Sequence, residues 1–84
     1  YPNPFNPTTK IRFTNDRSSN VKVTVYALTG EKVATIMNKQ VNAGAYDVSW
    51  NGKSSNGTIV PTGMYLYDIE SDGRRLQGKM LFLK

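Results

Sequence analysis

The chain has 84 residues, a formal net charge of +5, and neither cysteine nor histidine. Without those two residue types, disulfides, thiol chemistry, zinc sites of the usual kind and histidine-dependent catalytic triads are all excluded. The basic residues are dispersed, with only Arg74 and Arg75 adjacent, which favours a solvated surface over a nucleic-acid patch, and no apolar run approaches the ~20 residues of a membrane-spanning helix.

Tyr1 to Pro7 carries prolines at positions 2, 4 and 7. Each fixes φ and removes an amide donor, so residues 1–8 read as an extended leader ahead of one small domain over 9–84. Tyr1 and Phe5 are costly to leave in water and are expected against the domain edge. The chain begins without methionine, as a segment of a longer protein would. Lys10-Ile11-Arg12-Phe13 alternates strictly and predicts a strand with Ile11 and Phe13 inward. Asn15 to Asn20 reads as a loop.

Val21 to Tyr26 is the clearest strand, with Val21, Val23 and Val25 inside and Lys22, Thr24 and Tyr26 outside. Leu28 to Glu31 is a turn, Lys32 to Met37 returns as the partner strand, and Asn38 to Ala43 reads as a polar connection. Gly44 then opens a strand with Tyr46, Val48 and Trp50 on one face. Trp50, the sole tryptophan, is expected as a core plug between two sheets. The candidate core is thus Trp50, Val23, Val25, Tyr46 and Val48. Asn51 to Gly57 repeats Asn-Gly with hydroxyls between, a shape that resembles a cation loop. It holds no carboxylate, so paired turns are expected there and no metal or other cofactor. Thr58-Ile59-Val60 is expected as a short strand before the bend at Pro61-Thr62-Gly63.

Asp72-Gly73 between two β-prone runs predicts a hairpin closed by a type I′ turn, which needs positive φ at both central residues. Counting outward sets Glu70 opposite Arg75, Ile69 opposite Leu76, Tyr67 opposite Gly78 and Tyr65 opposite Met80. One face, Tyr65, Tyr67, Ile69, Leu76, Met80 and Phe82, reads as core. The other ends in Met64, Leu66, Leu81 and Leu83, apolar with no evident partner. Gly63 is expected where a side chain would collide with the Pro61 bend. Seven short strands and no helical period predict an all-β, immunoglobulin-like or fibronectin-like antiparallel sandwich, with a barrel as the alternative.

Tyr1-Pro2-Asn3-Pro4-Phe5-Asn6-Pro7-Thr8-Thr9, Val25-Tyr26 through Gly30, Gly44 through Trp50, Gly57, Pro61-Thr62-Gly63-Met64-Tyr65 and the basic-apolar end Lys79 to Lys84 together resemble the type A C-terminal sorting domain of the type IX secretion system of Bacteroidetes. The middle of the chain is also similar to the immunoglobulin-like domain of the flagellar hook-capping protein. Ala27 departs from the sorting pattern, which usually has Asp there, and the loop Asn51 to Ser55 lacks the acidic residues often found in it.

The first resemblance implies a non-enzymatic address on a larger cargo, carried N-terminal to it, that passes through the periplasm to the cell surface or medium. Its partners would be an outer-membrane translocon and a sortase-like peptidase, with no nucleic acid. The candidate recognition residues are Gly63, Tyr65, Lys79, Met80, Leu81, Phe82, Leu83 and Lys84. A terminal strand apolar on both faces suits capture by strand addition or by a groove, and also predicts weak edge-to-edge pairing of two copies. The competing readings are a structural or adhesive immunoglobulin-like module and an accessory carbohydrate-binding module, the latter if two of Tyr26, Tyr65 and Tyr67 are coplanar on an exposed face. An enzyme is disfavoured, since no acid–base pair is evident.

Overall fold

The computed structural model describes residues 9–83. The leader boundary at residue 8, the packing expected of Tyr1 and Phe5, and the role given to Lys84 therefore lie outside the described residues. Six strands are formed: β1 (Thr9–Asn15), β2 (Ser19–Tyr26), β3 (Lys32–Val41), β4 (Gly44–Trp50), β5 (Gly63–Ser71) and β6 (Arg74–Phe82). They make two antiparallel sheets, β1-β4 and a four-stranded sheet in the order β3-β2-β5-β6. No helix occurs among the described residues, and the architecture is an all-β, immunoglobulin-like sandwich.

The valine alternation of β2 sets the centre of the larger sheet. Val21, Val23 and Val25 are fully buried, as β-branched side chains on the inner face of a central strand should be. Thr24, expected outside, is buried as well. It lies opposite both Thr35 and Asp68, so its neighbours on either side cover it although its face is the outer one. The return strand is longer than its composition suggested. Asn38 to Val41 pair with Ser19 to Lys22, which leaves only Asn42 and Ala43 as the connection to β4. Polar residues suit β3 because it is a sheet edge. The pairing of β2 with β3 shifts register twice, between Val23 and Thr24 and between Val25 and Tyr26, as bulges that strengthen local twist.

The seventh strand expected at Thr58–Val60 does not form. It is reduced to a single bridge, Lys53 to Ile59, because its backbone groups are engaged within the loop: the Ser54 N–H donates to the Thr58 carbonyl and the Val60 N–H to the Gly52 carbonyl, both at 2.8 Å. The neutral oxygens that gave this loop its cation-like look serve the same turns. Asn51 Oδ1 accepts from the Lys53 N–H at 3.1 Å, and Asn56 Oδ1 accepts from the Thr58 N–H at 3.2 Å.

The closing hairpin has the register counted from the sequence, with Glu70 opposite Arg75 and Tyr65 opposite Met80. Its turn places Asp72 at φ 50° and Gly73 at φ 77°, the positive values that a type I′ turn requires. The Tyr67 ring lies across Gly78, where any Cβ would overlap it. Leu76, expected in the core, is instead exposed at 58%. Its face points toward the smaller sheet, but two strands cannot cover four, and β1 meets β6 only at the far end, where the Thr9 hydroxyl donates to the Leu81 carbonyl at 3.0 Å.

Candidate functional site at the end of the closing hairpin

The end of the hairpin is built on three aromatic rings. Trp50 closes β4, Tyr65 lies near the start of β5 and Phe82 ends β6; all three are buried. Tyr65 meets Trp50 edge-on, with centroids 5.1 Å apart and planes at 72°, and Phe82 meets it at 5.2 Å and 47°. Edge-on and tilted pairs set the positive edge of one ring against the negative face of another. The polar tips are satisfied locally: the Trp50 indole N–H donates to the Lys53 carbonyl at 3.0 Å, and the Tyr65 hydroxyl donates to the Pro61 carbonyl at 2.6 Å. Tyr65 thereby fixes the bend before its own strand. Phe82 lies flat against Gly52, whose missing Cβ is what makes room for the ring.

Gly63 begins this end differently from expectation. A Cβ there would meet nothing within 4 Å, so no collision with the Pro61 bend demands glycine; the demand comes from its φ of +156°, which L residues rarely adopt.

Opposite parities on β6 now separate the candidate recognition residues. Met80 and Phe82 turn inward and are 8% and 0% exposed. Lys79, Leu81 and Leu83 turn outward and are exposed, and Met64, paired with Leu81 across the hairpin, is exposed beside them. The surface row is therefore Met64, Lys79, Leu81 and Leu83, and the inner members hold it in place. Sequence reasoning named all but Met64 as recognition candidates and treated Lys79 to Lys84 as one unit; the alternation of a strand would have divided it. β6 is also the edge of its sheet, so among the described residues no strand pairs along its outer side.

The remaining candidate core residues grade outward along β4. Trp50 is 1% exposed, whereas Val48 and Tyr46 are half-buried and pack on the cluster from its side. Tyr46 stacks on Phe13, with centroids 5.6 Å apart and planes at 24°, and its hydroxyl donates to the Asn42 carbonyl at 2.7 Å. No two of Tyr26, Tyr65 and Tyr67 form a platform: Tyr65 is buried, and Tyr26 and Tyr67 lie on opposite faces of the larger sheet. The carbohydrate-binding reading loses the geometry it needed. No group of three or more carboxylate, histidine or cysteine side chains able to hold a metal occurs among the described residues, and they form no helix long and apolar enough to cross a membrane.

Asp68 is a buried charge within this hairpin. It is 4% exposed on the outer face of β5, and its Oδ1 lies 3.2 Å from Arg75 Nε. That contact lacks the alignment of a hydrogen bond. Arg75 also approaches Glu70 at 3.6 Å, so one guanidinium lies between two carboxylates.

A two-sheet immunoglobulin-like domain in which Asp16, Asp47, Asp68, Glu70 and Asp72 each lie within 4 Å of an arginine has the character of a binding or structural module. The family model for the FlgD Ig-like domain matches residues 3–75, and the chain belongs to that family, which is a non-catalytic structural one. Among solved structures it is similar to FlgD from P. aeruginosa, with 34% identity and a TM-score of 0.72 over 90% of this chain and 59% of that one. It is also similar in fold to PorU from Porphyromonas gingivalis, described as dimeric and latent, with 24% identity and a TM-score of 0.63 over 96% of this chain and 8% of that one. The chain thus spans less than two thirds of the length of either protein. No curated protein matches it.

Proposed function

We propose that this domain is a non-catalytic C-terminal sorting signal, an address that directs a larger cargo across the outer membrane by the type IX secretion system. The observation that carries the reading is the division of the terminal strand. Its inner residues Met80 and Phe82 anchor it to the core, while Leu81 and Leu83, 49% and 58% exposed, line the free edge beside Met64 and Lys79. An ordinary domain gains nothing from apolar side chains along an unpaired edge, whereas a segment captured by a partner needs them. The family match ends at residue 75, near the start of this strand. The partners on this reading are the outer-membrane translocon, a sortase-like peptidase and the cargo itself, and the route runs from periplasm to cell surface or medium.

The test is a fusion of the domain to an inert reporter in a host with a working type IX system. Leu81→Ser with Leu83→Ser should leave the fold intact and reduce export as severely as removal of residues 79–84. Export of the double variant at the level of the intact tag would place the address elsewhere. The second reading, a structural immunoglobulin-like module, is favoured by the 34% identity to FlgD over 90% of this chain. It predicts no export from any of the fusions.

A further inference from the structure

The loop between β4 and β5 holds Asn-Gly twice, at Asn51-Gly52 and at Asn56-Gly57. Glycine has no Cβ to shield its backbone nitrogen, so that nitrogen can reach the carboxamide carbon of the preceding asparagine and close a succinimide ring. Both asparagines take the same local form, in which the N–H two residues on donates to the side-chain oxygen: Lys53 to Asn51 Oδ1 at 3.1 Å, and Thr58 to Asn56 Oδ1 at 3.2 Å. By sequence and by turn the two sites are equivalent. Their surroundings are not.

We propose that Asn56 is a site of spontaneous modification in the folded protein, converted to aspartate and isoaspartate, while the fold preserves Asn51. The Gly57 nitrogen bonds to Asn56 Cγ, the Cγ–Nδ2 bond breaks, and ammonia leaves with the proton of the Gly57 N–H. Water then opens the ring at either carbonyl. One water is consumed, one ammonia is released, and nothing is oxidised or reduced.

Negative charge develops on Oδ1 as the ring closes, and donors already aimed at that atom lower the barrier. Among the described residues Asn56 Oδ1 has two, the Thr58 N–H and the Ser54 hydroxyl, and Asn51 Oδ1 has the Lys53 N–H. The Gly57 N–H is itself engaged, donating to the Ser54 carbonyl at 2.9 Å, and that bond must open before the nitrogen can attack. Asn56 and Gly57 are exposed, and a Cβ at Gly57 would meet nothing within 4 Å, so this turn opens without disturbing the core. Gly52, in contrast, is buried beneath the Phe82 ring. Its carbonyl accepts from the Val60 N–H at 2.8 Å, and the Lys53 carbonyl accepts from the Trp50 indole at 3.0 Å. Closing a ring at Asn51, or adding the extra backbone methylene of isoaspartate, means withdrawing Gly52 from the aromatic cluster. Asn51 therefore waits on unfolding of the core. The product at Asn56 places a carboxylate in a segment, 51–57, that has none. This inference is independent of the export reading.

The experiment incubates the 84-residue chain at mildly alkaline pH, folded and in denaturing urea, and follows it by trypsin digestion and mass spectrometry. Cleavage after Lys53 separates the two sites, and the peptide 54–74 has Asn56 as its sole side-chain amide. In the folded chain Asn56 should gain the mass of a hydrolysed amide at least about tenfold faster than Asn51, and in urea the two should convert at similar rates. Equal rates in the folded chain overturn the proposal, because the core then gives Asn51 no protection. A folded rate at Asn56 more than about tenfold below its rate in urea also overturns it, because the turn then locks the site.

Discussion

At one end of the sandwich Trp50, Tyr65 and Phe82 interlock over Gly52; at the other, the space between the sheets is closed by small polar groups. There Ser19 Oγ donates to Asn15 Oδ1 at 3.1 Å and lies 2.6 Å from Ser71 Oγ, while Asn15 Nδ2 donates to the Arg17 carbonyl at 2.6 Å. Above this network two exposed ion pairs, Arg74 with Asp16 at 3.0 Å and Arg17 with Asp72 at 3.5 Å, join the β1–β2 loop to the hairpin turn. The aromatic end draws its energy from apolar area, which is large per residue and indifferent to salt. The polar end draws on hydrogen bonds whose net worth is small but whose absence is expensive. The same hairpin spans both, so its terminal strand is held firmly where its outer row is apolar.

The sharpest way to break this comparison is to empty the aromatic end. Trp50→Ala should cost about 3–5 kcal/mol, a large share of what a domain of this size possesses, read as a shift in the urea midpoint. At the polar end Asn15→Ala leaves Ser19 and Ser71 with a lost partner in a buried site, and about 1–3 kcal/mol is expected. A loss at Asn15 equal to that at Trp50 would mean that the polar network, not the aromatic cluster, holds the sheets together.

Much of the aromatic end could be read from the sequence, and most of the polar end could not. Trp50 and the hairpin register followed from composition and from Asp72-Gly73, because a lone tryptophan on a strand face and a two-residue turn each admit few arrangements. Asn15 and Ser19 read as loop because they are polar. Their burial depends on each other and on Ser71, which is 52 residues from Ser19, and no local pattern encodes such a partner. Leu76 failed for a related reason: alternation gives the face of a strand correctly, but whether the facing sheet extends over that position is a property of strand number. The candidate site was legible as a segment, from Lys79 onward, and not as a surface. Which of its residues are presented depends on the burial of Met80 and Phe82 against Trp50, and that also rests on the distant Gly52.

The smallest effect lies midway between the two ends and supplies a baseline for both. Arg12 and Asp47 are directly opposite on β1 and β4, with Nε and Oδ1 at 2.8 Å. The hydrogen bond from Arg12 holds the Asp47 carboxyl below its usual range; desolvation opposes it, and the charges of Arg12 and then Lys10 add to the lowering. A carboxylate whose folded pKa is depressed contributes stability that is fully present above its unfolded value of about 3.9 and is lost as pH falls through the lower folded value. Both side chains are solvated and the pair is screened by salt, so the contribution is modest beside those of Trp50 and Asn15. Thermal unfolding of the parent and of Asp47→Asn should therefore differ by a small constant amount from neutral pH to about pH 5 and converge below about pH 4. A gap that stays the same in acid would show that Asp47 acts through packing and not through its charge. A gap that widens in acid would reverse the sign required by a depressed carboxylate and remove Arg12 as its cause.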